Sequence, residues 1–130
     1  MLLFGHPYFN AKPFYHISSI EAIENTPSNS KLFIEFDPIN LDIIQFSHAN
    51  SLLFALRVES IKEIIFASAL GASYIVVPKE LAKSAQNIAN EYLFDAKILA
   101  LIDDEDDIEE LAILGVDGVI FSEAIIKINS

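Results

Sequence analysis

The segment Ala96-Lys-Ile-Leu-Ala-Leu-Ile-Asp-Asp-Glu-Asp-Asp-Ile-Glu-Glu-Leu-Ala-Ile-Leu-Gly-Val-Asp-Gly-Val-Ile-Phe121 narrows the fold of this chain more than any other feature. Lys97 to Ile102 is a nearly continuous apolar run of strand length, the kind covered on both faces in a parallel sheet. Carboxylates crowd the next positions, Asp103 to Asp107, where a helix should begin and unpaired backbone N–H groups and the positive dipole end attract negative charge. Ile108, Leu111 and Ala112 recur at helical spacing, and Gly115 supplies the left-handed residue that commonly stops a helix. Val116 to Phe121 is the next strand. Strand, helix and parallel strand within about 30 residues define a βαβ unit, whose crossover is right-handed almost without exception.

The same unit recurs upstream. Phe54-Ala-Leu-Arg-Val leads to Gly71-Ala-Ser-Tyr-Ile-Val-Val much as Leu99-Ala-Leu-Ile-Asp leads to Gly115-Val-Asp-Gly-Val-Ile-Phe. Strands are predicted at Lys31 to Asp37, Leu52 to Val58 and Tyr74 to Val77, and helices at Ile20 to Glu24 and Leu41 to His48. Ser18 with Glu21, and Ser60 with Glu63, have capping-box spacing. Ile61, Ile64, Ile65 and Ala69 predict a buried helix stripe, as do Leu81, Ala85, Ile88 and Tyr92. Leu2 to Phe4 and Phe14 to Ile17 are short apolar segments flanking a Gly- and Pro-containing loop, and Glu123 to about Ile128 is expected to form a terminal helix. The expected fold is α/β, a single domain over residues 1–130. Its sheet should be open and doubly wound, with five or six mostly parallel strands, flavodoxin-like in plan or equivalently an incomplete TIM-barrel-like array.

Charge and composition exclude several functions. The net charge of −11 is uneven, because residues 103–110 hold seven carboxylates and no base; the remainder carries twelve acids against eight bases. The bases are scattered singly, so no stripe follows a phosphate backbone and nucleic acid is not an expected partner. No apolar run approaches bilayer-spanning length, and the start lacks the basic flank of a signal peptide, so a cytoplasmic protein without a membrane partner is expected. The absence of cysteine removes disulfides, thiolate metal sites and cysteine nucleophiles. There is no P-loop, nucleophile elbow or G-x-G-x-x-G fingerprint.

In parallel α/β sheets ligands bind beyond the carboxyl ends of the strands. The side chains expected there are Asp37, Arg57, Lys79, Asp103 and Ser122, a mixture able to hold a small anion or a sugar phosphate, although polar residues populate strand ends in any case. Glu35 alternates with apolar Ile34 and Phe36 and should share a face with Phe33 and Asp37. Two carboxylates so spaced can hold Mg²⁺ or Ca²⁺; the competing reading puts this strand at a sheet edge with Glu35 facing water. The acidic run at 103–107 lacks the alternation and central glycine of an EF-hand loop and reads as helix capping. His6, His16 and His48 lack zinc-ligand spacing and read as surface or packing residues.

Asp103-Asp-Glu-Asp-Asp-Ile108, Leu111-Ala-Ile-Leu-Gly115 and Gly115-Val-Asp-Gly-Val-Ile120 resemble the closing βα units of glycerophosphodiester phosphodiesterase-type TIM barrels, over about residues 70–121. That resemblance implies a catalytic histidine near the start, a Glu-x-Asp metal pair and phosphodiesterase chemistry. Gly5-His6-Pro7 supplies a histidine without the family's following Arg-Gly, and Glu35-Phe36-Asp37 supplies the paired carboxylates. The same segment resembles, less well, the last units of response-regulator receiver domains. Their phosphoacceptor Asp, Ser or Thr, and Lys would fall at Val77 or Pro78, Ile102 or Asp103, and Phe121 or Ser122.

Two functions are therefore expected to compete. In the first the chain is a binding or interaction module with no catalytic apparatus and no cofactor, acting as a homo-oligomer or with a protein partner, and taking a small anionic ligand. In the second it is a metal-dependent phosphodiesterase-like or sugar-phosphate enzyme, with Glu35 and Asp37 on Mg²⁺ or Ca²⁺, His6 as general acid or base and Arg57 on phosphate. The second requires those four side chains to converge on one cavity.

Overall fold

A computed structural model describes residues 1–128. Eight parallel strands form one strongly curled sheet: β1 Leu2–Phe4, β2 Phe14–His16, β3 Lys31–Glu35, β4 Phe54–Arg57, β5 Tyr74–Pro78, β6 Lys97–Ile102, β7 Gly118–Phe121 and β8 Ile125–Lys127. Their order is β1-β7-β6-β5-β4-β3-β2-β8. Among the described residues five α-helices accompany them, α1 Ile20–Ile23, α2 Leu41–Ala49, α3 Ile61–Ala69, α4 Ala82–Glu91 and α5 Asp107–Leu114. The class is the α/β one expected, and the strand count is corrected from five or six to eight. The three additional strands, β1, β2 and β8, have only three residues each. Two of them lie in segments too short to show alternation. The third, β8, occupies the expected terminal helix: Ser122–Ala124 makes a single 3-10 turn, and the chain then extends to pair with β2.

The doubly wound plan is also corrected. Every helix turns its buried residues, among them Ala22, Ile44, Ile64, Ala85 and Leu111, onto the same sheet face, where they pack on Ile34, Leu56, Ile75, Ile98 and Val119. The other face is curled in on itself. Phe4, Phe14 and Phe33 fill it from β1, β2 and β3, facing Ala55, Val76, Leu99 and Ile120 from the strands between β3 and β1. Rings from β1, β2 and β5 meet inside the curl, where Phe4 stands edge-on to Phe14 at 5.1 Å and to Tyr74 at 5.8 Å. Lys31 closes the amino-terminal end, its Nζ lying 5.5 and 5.4 Å from the centres of the Phe4 and Phe14 rings. Burial, with the nearby Lys12 charge, holds the Lys31 ammonium below its ordinary pKa.

Local chemistry explains most of the element ends. Ser60 accepts the Glu63 N–H at 3.2 Å, while the Glu63 carboxylate accepts the Glu59 N–H, so α3 starts where the capping pair predicts. At α1 the cap is Ser19 rather than Ser18, accepting from Ala22. Helix α5 begins only at Asp107; Asp103 to Asp106 form the turn before it, with Asp104 accepting the Asp106 N–H. Gly115, at φ +81°, ends α5 in the left-handed conformation expected. Gly118 has a different role: a Cβ there would lie 2.6 Å from the Leu2 Cβ and 2.7 Å from the Leu2 carbonyl oxygen, so its missing side chain admits β1 beside β7. Among the described residues no helix is long and apolar enough to cross a membrane.

Candidate functional site

All eight strands run the same way, so their carboxyl ends gather at one mouth of the curl. Inward positions alternate along each strand, and the residues one pleat above the aromatic filling reach this mouth. His16 follows Phe14, Glu35 follows Phe33, Leu101 follows Leu99 and Lys127 follows Ile125. Registry then sets their neighbours: His16 pairs with Lys127 across β2 and β8, and Glu35 with Arg57 across β3 and β4. Together with Ser122 they surround a pocket of about 300 Å³ floored by Phe33, Leu101 and Ile125.

The Arg57 guanidinium is central to this arrangement. One of its terminal nitrogens donates to Glu35 at 3.2 Å, and the other lies 3.2 Å from the Glu59 carboxylate. The second Glu35 oxygen lies 3.8 Å from the His16 Nε2. Burial holds His16 below the ordinary histidine pKa; Glu35 opposes that shift, and the positive charges of Lys127 and Arg57 add to it. At neutral pH the pocket therefore holds two fixed cations, one carboxylate and an uncharged imidazole. Ser122 donates its hydroxyl hydrogen to Asp103, which walls a neighbouring cleft.

The structure brings Glu35, Arg57 and Ser122 together and sends the other expected residues elsewhere. Asp37 leaves the sheet: its side chain caps the Pro38–Asn40 turn by accepting the Ile39 N–H, and it lines a separate groove between α2 and α3. Glu35 and Asp37 are thus not a facing pair, because the strand ends at Glu35 and the pleat no longer governs residue 37. Nor is β3 an edge strand, since it lies between β2 and β4. Lys79 staples the end of β5 to α5, with its Nζ 2.9 Å from Asp107 and 3.6 Å from Glu110. The hydrogen bond and charge of Asp107 raise its pKa.

His6 lies at the same end of the sheet as Glu35 and in a different cavity. It is buried against Tyr8, Phe9 and Phe121, with its Nε2 2.8 Å from the Glu105 carboxylate and its Nδ1 accepting the Tyr8 N–H. Those two bonds fix the tautomer, leaving Nε2 to carry the proton. The adjoining cleft, about 570 Å³, is walled by Asp103, Asp104, Glu105 and Glu123. His6, Glu35, Asp37 and Arg57 thus line three separate cavities, and the convergence required for phosphodiesterase chemistry is not met. Among the described residues no group of three or more His, Asp or Glu is placed to hold a metal ion.

Sequence reasoning missed His16 and Lys127. The signal for His16 was the alternation Phe14-Tyr15-His16, two inward positions around one outward. Lys127 carried no local signal, because only the pairing of β8 with β2 turns it into the mouth. The fold and site thus define an α/β protein with an all-parallel curled sheet and a charged pocket at the carboxyl ends of its strands. The chain matches no protein-family model and no curated protein sequence.

Proposed function

We propose that the chain is a small cytoplasmic binding module whose mouth pocket takes an anionic small molecule, without performing chemistry on it. The observation that carries this reading is the grouping of Arg57, Lys127 and His16 around one apolar-floored pocket in a chain of net charge −11. A cation pair against so acidic a background focuses potential at the pocket and selects for negative ligands. The binding reading is favoured over the enzymatic one because the ionisable groups of the mouth are tied to one another: Glu35 to Arg57, and Ser122 to Asp103. The one hydroxyl–carboxylate pair among the described mouth residues, Ser122 with Asp103, has no histidine or further base behind it, and no second carboxylate there joins Glu35 to make a metal pair.

A thermal-shift titration tests this directly. Ligand at about ten times its dissociation constant stabilises the native state by about 1.4 kcal/mol, a few degrees of melting temperature. Phosphate esters should raise the melting temperature of the wild type and leave Arg57→Met unmoved. A rise with Mg²⁺ or Ca²⁺ that is lost in Glu35→Ala/Asp37→Ala would instead restore the metal-dependent reading. Equal shifts in wild type and Arg57→Met would remove the mouth from the explanation.

A further inference from the structure

We propose that the mouth ligand is the phosphate monoester of a short polyol or sugar, and that His16 takes up a proton as the ester binds. The inference rests on the binding reading above and gives it a chemistry.

The pocket is matched to charge in an incomplete way. His16 and Lys127 are register neighbours on the inward face of β2 and β8, with Arg57 two strands away on β4, and basic groups so placed repel one another. The acidic groups facing them are Glu35 on β3 and Glu59 just beyond β4, and both already bond Arg57. With neutral His16, Arg57 and Lys127 are balanced by Glu35 and Glu59, and Asp103 stands outside this set, bonded to Ser122. Protonation of His16 leaves one positive charge in excess, so a proton and a phosphate monoester, an anion of about two charges, favour one another in the pocket.

The geometry supplies a path between the two states. Glu35 bridges Arg57 at 3.2 Å and His16 at 3.8 Å through different oxygens. An incoming phosphate competes with Glu35 and Glu59 for the two terminal Arg57 nitrogens, and a planar guanidinium suits that exchange because it can turn both N–H donors in parallel onto one phosphate. Released from Arg57, the Glu35 carboxylate closes on His16 and makes imidazolium the favoured form. Phosphate charge beside His16 acts in the same direction.

The remainder of the ligand is indicated by what surrounds the cations. The open pocket of about 300 Å³ has room for roughly ten water volumes, enough for a triose or pentose phosphate. Phe33, Leu101 and Ile125 offer a carbon-facing floor, while the Ser122 oxygen and the remaining lone pairs of Glu35 offer acceptors for hydroxyls.

Isothermal titration with ribose 5-phosphate tests both parts, run between pH 6.5 and 8 in two buffers of different ionisation enthalpy, above the ester's own second ionisation near 6. Ribose and inorganic phosphate serve as controls. The wild type should bind the ester three- to tenfold more tightly at pH 6.5 than at pH 8, with buffer-dependent heats that report proton uptake. His16→Gln should still bind, with flat pH dependence and no uptake, and Arg57→Met should lose at least tenfold in affinity. Ester binding without proton uptake in the wild type would overturn the role of His16. Inorganic phosphate binding as tightly as the ester would overturn the polyol. Both of those outcomes leave the anion-binding reading standing, whereas no heat with any anion would bring that reading down as well.

Discussion

His16 shows how strand registry can build a titratable site from a residue with no motif around it. Half-buried among Phe33, Lys127 and Arg57, it is held below its ordinary pKa of 6.5, so over the interval below that value the unfolded chain binds more protons than the folded one. Stability therefore rises with pH through this interval: it is fully present above pH 6.5 and is lost as the pH falls through the folded value. Urea midpoints at pH 5.5, 6.5 and 7.5 should climb for the wild type and climb less for His16→Gln; parallel profiles for the two proteins would show that another group carries the dependence. The placement of Glu35 was half legible. Alternation puts it on the face of Phe33, as found, but its partner could not be read, because Arg57 lies 22 residues away and only registry between β3 and β4 makes the pair.

Elements were legible where their determinants are local and obscure where they are not. The capping of α3 by Ser60, the stop of α5 at Gly115 and the doubly covered β6 all follow from a few neighbouring residues. Strand β8 does not, since Ile125–Lys127 is extended only because β2, more than a hundred residues earlier, offers it a parallel edge. Helix α4 is intermediate. Its buried stripe is Ala82, Ala85, Gln86 and Ala89, rotated from the expected Leu81, Ala85, Ile88 and Tyr92, and Tyr92 is exposed. The rotation has a polar cause: Gln86, 3% exposed, accepts the Asp117 N–H at 2.9 Å, and Asp117 in turn accepts the Ile98 N–H at 2.9 Å. This chain of bonds fixes α4 against the amino-terminal ends of β6 and β7. Gln86→Leu preserves the volume and orphans a backbone donor, so it should cost about 1–3 kcal/mol in denaturant unfolding. Asn90→Ala, which removes only the outer partner of the Gln86 amide, should cost far less. A Gln86→Leu protein as stable as wild type would mean that water replaces the glutamine.

At the scale of the whole molecule several large apolar side chains stay on the surface. Its accessible area is 7,395 Å², against about 6,800 Å² for a monomer of 14.4 kDa. Of the α3 stripe expected to be buried, Ile61, Ile64, Ile65 and Ala69, only Ile64 faces the sheet, joined there by Ala67, while Ile61, Ile65 and Ala69 are exposed and Phe66 beside them is 47% exposed. Between α2 and α3, Phe36, Leu41, Ile44 and Phe66 line a groove of about 540 Å³, and Ile39 beside it is 81% exposed. Asp37, Glu63 and Lys62 stand at its rim. A second copy of the chain docked about a two-fold axis through this groove would bury the apolar residues of both copies and let the lysine on each rim meet the carboxylates of the other. Light scattering after size exclusion should then report a dimer, about twice 14.4 kDa, for the wild type. The substitutions Leu41→Lys and Phe66→Lys, which place four like charges across the two-fold, should give a folded monomer with an unchanged far-ultraviolet circular dichroism spectrum. A wild type that remains monomeric at 100 μM would leave this face without a second copy. Because the groove lies on the helix-covered side and the mouth at the strand ends, the monomeric variant should keep its anion affinity, which separates assembly from binding in one preparation.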